Sequence, residues 1–186
     1  IKINYEQFDQ TFNYAELKWS YDEALKLAVW IVSQAVEEFY NESISVEKAS
    51  QDIINKYLEK LWGIKLGKAN SNEAYSSRWI LAALSDFNGQ LQARDIIRFL
   101  KFAANVNSKK RTYYDRILMP TDIRSAVSIC SKEKSNEIKT EYAALKPILE
   151  KLEALPQIKK KLPLDPHENP LTPVEEKLMI QAGYLT

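Results

Sequence analysis

Apolar residues recur along most of the chain at three- and four-residue steps, the spacing that lays side chains along one face of a helix. The first clear stripe follows Trp19-Ser20-Tyr21-Asp22-Glu23, where the Ser20 hydroxyl is placed to cap the next amides and Glu23 to return the bond as a capping box. This predicts a helix over about 21–40 with Ala24, Leu27, Ala28, Ile31, Ala35 and Phe39 buried and Trp30 and Val32 widening that face. After a polar break at 41–45, Ser45 is expected to cap a second helix ending near Trp62, with Val46, Ala49, Ile53, Ile54, Tyr57, Leu58 and Leu61 inward. Gly63 suits the left-handed position beyond its end, and the basic loop 65–70 reads as a mobile connection.

Residues 71–106 hold two further stripes separated by a turn at Gly89. Tyr75, Trp79, Leu81, Ala82 and Leu84 form the first; Ile96, Ile97, Leu100, Ala103 and Ala104 form the second, with Arg94, Arg98 and Lys101 opposite. Because neither stripe is stable facing water, the two are expected to pack as an antiparallel helix pair that organises the chain. Pro120 and Thr121 then start a helix over about 122–144, with Ile123, Ala126, Val127, Cys130, Ile138 and Tyr142 apolar. Its strongly polar middle, Ser131 to Glu137, predicts a projection or a break there. Pro147 opens another helix, with Ile148, Leu149, Leu152 and Leu155 inside and Pro156 as terminator. Residues 156–170 hold four of the seven prolines and read as an irregular connector. Thr172-Pro173-Val174-Glu175 is the clearest helix start, and Gly183 closes that helix after Leu178, Met179 and Ala182. Residues 1–14 show instead the brief alternation Ile1, Ile3, Tyr5 of a short strand or linker remnant. The expected fold class is therefore all-α: an irregular multi-helix bundle of about six or seven helices, in which Gly183-Tyr184-Leu185 marks the opening of a truncated winged-helix-like end.

Composition narrows the function classes. The chain has 186 residues, 45% hydrophobic, enough for a substantial core. Four glycines and the absence of GxxxxGK[ST] and GxGxxG argue against a phosphate-cradling loop within it. A formal charge of +1 gives no bulk attraction to nucleic acid or an anionic membrane. The single Cys130 excludes an intrachain disulfide, and no apolar run is long enough to span a bilayer, so the expectation is a soluble, cytoplasmic protein. The initial Ile suggests a fragment or processed chain.

No residue set composes a complete catalytic centre, so no autonomous enzyme is expected. His167 stands alone in the connector and reads as a loop residue, and Cys130 lies on an apolar face and reads as inert packing. The pairs Glu37-Glu38 and Glu175-Glu176 point in different directions on their helices, and the tryptophans read as core. Two basic clusters, Lys109-Lys110-Arg111 and Lys159-Lys160-Lys161, are candidate contacts for an anion or a nucleic-acid backbone, with a hydrated surface as the plainer reading. Arg94 follows the Gly89 turn at a helix start and shares a face with Arg98 at an i,i+4 spacing. A guanidinium there can reach a phosphate on a neighbouring domain, or form a salt bridge with Asp95, Asp86 or another surface acid.

The residues Trp79, Ile80, Leu84, Gly89, Ala93 to Leu100 and Ala103 resemble the helical region that follows the nucleotide-binding core of large bacterial P-loop ATPases. The segments Leu17 to Leu25, Leu118 to Ala126 and Glu137 to Glu141 are similar to its flanking parts, so the likeness covers residues 15–155. The resemblance implies a lid-like domain over 15–108 with additional helices over 109–155, beyond which residues 156–186 are the Pro-rich connector and terminal helix read above. It implies an upstream nucleotide-binding domain in the same polypeptide that holds ATP and Mg²⁺, with no cofactor in this part. Arg94 would then be a phosphate sensor and Arg98 a weaker one. The functional expectation is a noncatalytic helical module that couples such an ATPase domain to downstream elements or a protein partner. A stand-alone interaction module and a nucleic-acid-binding helical domain are the alternatives.

Overall fold

A computed structural model describes residues 19–35, 45–86, 89–106, 113–157, 160 and 169–185. Among them the chain is all-α, an irregular bundle of seven helices: α1 (Tyr21–Ala35), α2 (Gln51–Trp62), α3 (Ser76–Leu84), α4 (Ala93–Asn105), α5 (Pro120–Glu141), α6 (Lys146–Glu153) and α7 (Pro173–Gln181). The described residues contain no strand, only an isolated antiparallel bridge between Lys65 and Tyr75.

Local chemistry starts several helices as expected. The Ser20 amide and hydroxyl donate to Glu23 Oε2 at 2.8 and 2.7 Å, and the Glu23 amide returns a bond to Ser20 Oγ at 3.2 Å. Thr172 and Glu175 complete the same reciprocal box at α7. At the other end of α7, the Gly183 amide donates to Ile180 O and the Tyr184 amide to Met179 O, the paired bonds of a Schellman closure with Gly183 at φ 74°. Tyr184 and Leu185 then turn back onto the neighbouring apolar cluster.

Packing corrects several details of the pattern. α2 begins at Gln51 behind Ser50, and Ser45 opens a separate turn closed by the Lys48 amide. The inward face of α1 is Ala24, Leu25, Ala28, Val29 and Val32, rotated from the expected one, so that Leu27 and Ile31 are only half-buried, Trp30 is exposed and Ala35 lies outside. Phe39 lies outside the described residues. Ile53, Tyr75, Ile97 and Tyr142 are exposed rather than inward, and Ala82 and Ala104 are exposed too. In each helix the stripe is wider than the neighbour that covers it, and tertiary contact selects which edge is buried.

The organising element also differs from expectation. α3 and α4 do not form the dominant pair; each packs chiefly on α5, with α4 on α5 the most extensive helix contact in the bundle. α1 packs on α4 and α2, and α6 on the later part of α5. The polar middle of α5 neither breaks nor projects: the helix is continuous from Pro120 to Glu141. Its first half enters the main core through Ile123, Ala126 and Cys130, beside Trp62, Ile80, Ile96 and Phe99. Its second half reaches a smaller cluster of Ile138, Leu145, Ile148 and Met179.

The loop 65–70 is held rather than mobile. The Leu66 amide donates to Ala74 O, the Ser76 amide to Ile64 O, and Lys65 Nζ to Ser71 O at 2.6 Å, while Leu66 is buried. Beyond the last turn of α2 the anchor is Arg116, a buried guanidinium that donates to Lys65 O at 2.6 Å and pairs with the Asp115 carboxylate. The Ile117 and Leu118 amides donate to Lys60 O and Leu61 O, and Ser76 Oγ to Trp62 O. The terminal carbonyls of α2 are thus satisfied by groups distant in sequence.

Candidate functional site

The polar middle of α5 faces the start of α4, and the two segments meet in a charged network. Asp95, with its side chain 4% exposed, accepts from Lys134 Nζ at 2.9 Å and lies 3.5 Å from Arg98 Nη1. Arg98, 13% exposed, also donates to Glu137, whose other carboxylate oxygen lies 3.4 Å from Arg94 Nη2. Arg94 is at the outer edge, 49% exposed, and donates to Gln92 Oε1 at 3.1 Å. Two acids and three bases therefore link α4 to α5 from a dry interior to the solvent. The Coulombic attraction of the inner pairs is little screened there and works against the cost of burying the charges, while among the described residues Arg98 Nη1 and Glu137 Oε2 are buried without a hydrogen-bond partner.

Arg94 and Arg98 thus lie on one face as their spacing implies, and both engage carboxylates. Arg98 is the more enclosed of the two; Arg94 is the one with surface to meet an external group. Of the two basic clusters, Lys109, Lys110 and Arg111 lie outside the described residues, as do Lys159 and Lys161. Lys160 Nζ donates to Glu153 O at 2.7 Å, just past the carbonyl end of α6. His167 is also outside the described residues.

Beside the network runs a cleft of about 380 Å³ between the two hydrophobic clusters. The last turn of α3, Ala82 to Leu84, forms one wall, and Ile138, Leu149 and Tyr184 contribute to the other. Lys134 Nζ reaches across to Leu84 O at 3.3 Å, a cation at the carbonyl end of a helix. Asp86 and Asp95 line the same space. Asp86 accepts the Gln90 amide at 2.7 Å and closes the turn that leads to α4. Cys130 also lines the cleft, and burial pushes its thiol up to about 11, which keeps it protonated and unreactive near neutrality.

Lys134 and Glu137 complete the network yet do not stand out in the sequence pattern, and Asp95, offered by the sequence as a partner for Arg94, pairs instead with Arg98 and Lys134. A signal was available: Cys130, Lys134 and Ile138 follow one another at four-residue steps, so the lysine shares a face with two buried apolar residues. A charge on such a face requires a partner, and the partner comes from another helix. Among the described residues, no group of His, Cys, Asp or Glu is arranged to hold a metal, and no helix is long and apolar enough to cross a membrane.

No family model matches the sequence, and neither curated proteins nor solved structures include a significant match.

Proposed function

We propose that the chain is a noncatalytic helical module of a nucleotide-dependent protein, working in the cytoplasm and coupling a P-loop ATPase domain to downstream elements or a protein partner. The observation that carries the reading is the place of Arg94, half-exposed at the start of α4 and sharing Glu137 with the buried Arg98. A phosphate presented to Arg94 competes with Glu137 for the guanidinium. Glu137 then interacts with Arg98 alone, and the α4–α5 contact is rebalanced along the helix that also carries the second cluster. Arg98 acts in this scheme as a positioning residue.

The decisive experiment joins this module to its nucleotide-binding core and replaces Arg94 with Ala. Nucleotide turnover is expected to fall by at least about tenfold. Stability should change by less than about 1 kcal/mol, because the lost pair is partly exposed. Turnover equal to that of the unsubstituted protein removes Arg94 from the mechanism.

The second reading, a stand-alone protein-interaction module, draws on the exposed aromatics Trp30, 53% accessible, and Tyr114, 88% accessible. Under it, Trp30→Ala weakens partner binding while Arg94→Ala leaves it intact.

A further inference from the structure

The cleft between the two clusters has a polarity that the coupling mechanism does not use. Its volume of about 380 Å³ falls in the range of small-molecule clefts, about 300–1,000 Å³. Most of its exposed lining is apolar, with Ile138, Leu149 and Tyr184 on one side and the alanines of the last α3 turn on the other.

The acidic and basic side chains that line it are Asp86, Asp95 and Lys134. Asp95 and Lys134 neutralise one another at 2.9 Å, and Asp95 has Arg98 behind it. Asp86 is different: among the described residues no cation pairs with it, and its contact is the Gln90 amide on one carboxylate oxygen. Its charge lies next to the carbonyl end of α3, where Lys134 Nζ already meets Leu84 O at 3.3 Å. Ser85 and Ser131 give their hydroxyl protons to Leu81 O and Val127 O, so their oxygens present lone pairs to an incoming donor. An incoming cation therefore meets Asp86 and these two hydroxyl oxygens, while Lys134 is already held by Asp95 and Leu84 O.

We infer that this cleft binds a small apolar amine, with its ammonium at Asp86 and its hydrocarbon part against Ile138, Leu149 and Tyr184. The inference is independent of the Arg94 reading, because neither Arg94 nor Glu137 lines the cleft.

The test uses three probes of similar shape, 2-phenylethylamine, 2-phenylethanol and 3-phenylpropionate, titrated at pH 7 into the full chain and followed through the methyl resonances of Leu84, Ile138 and Leu149. The amine is expected to bind at least tenfold more tightly than the carboxylate. Asp86→Asn, which keeps an oxygen for the Gln90 amide, should abolish that preference while leaving the alcohol bound. Ala83→Trp, at an exposed helical position on the cleft wall, should block all three probes, with a thermal melt to check that the fold is kept. The inference is overturned if no probe binds, if the carboxylate binds as well as the amine, or if the amine still binds to the Ala83→Trp chain.

Discussion

At Gly63 the backbone adopts φ 75° and ψ 160°, a region that residues with a Cβ rarely enter. A Cβ built there would lie 2.2 Å from Arg116 Cζ. The guanidinium is itself committed: it donates to Lys65 O, pairs with Asp115 and stacks 4.5 Å above the Tyr113 ring. Its hydrogen bond holds the Asp115 carboxyl below the ordinary carboxylate range. Gly63→Ala is therefore expected to cost about 1–3 kcal/mol from backbone strain, with displacement of Arg116 in addition. A urea titration checks this, and a midpoint equal to that of the unsubstituted chain would show that α2 can end in another way. The turn residue was legible as a glycine beyond a helix end; its second role, making room for Arg116, was not, because the two are far apart in sequence.

α7 is the element whose boundaries were most legible, since both its caps are made of residues within a few positions of each other. Its start also carries a pH dependence. The Thr172 backbone amide, then Lys151 and the Thr172 hydroxyl, hold the Glu175 carboxyl down at about 2, against an ordinary value of 4.5. A depressed folded-state pKa means that the unfolded helix start binds the proton more readily. The stabilisation is complete above about 4.5 and is lost as pH falls toward 2. Amide exchange in α7 should accelerate over that window relative to α2, and Glu175→Gln should flatten the response. A Glu175→Gln chain with the same acid dependence would place its origin elsewhere. The faces of the helices were less legible than their ends. α1 offered Leu27, Trp30 and Ile31 as well as Leu25, Val29 and Val32, and the positions of α2 and α4 settled the choice.

Over the whole molecule, α5 is the shared member of two unequal clusters. The larger contains the fully buried Trp62, Ile80, Ile96 and Phe99; the smaller is centred on Ile138, Leu145, Ile148 and Met179. Fewer buried apolar contacts imply a lower free energy of local opening. Ile148→Ala is expected to destabilise α6 and α7 by about 2–5 kcal/mol, with α1 to α4 retaining their protection in native-state hydrogen exchange. A uniform loss of protection would mean that the two clusters unfold as one unit.

The all-α class, the sites of the capping boxes and the closing turns follow from the sequence alone, because they depend on hydrophobic period and on bonds between residues a few positions apart. Arg94 and Arg98, and the face they share, were legible from their spacing after the Gly89 turn. Their attachment to Glu137, the burial of Asp95 against Lys134 and the central place of α5 were decided only by the tertiary structure. Those features join residues about forty positions apart, and a helical stripe specifies that a face must be covered without specifying which helix covers it.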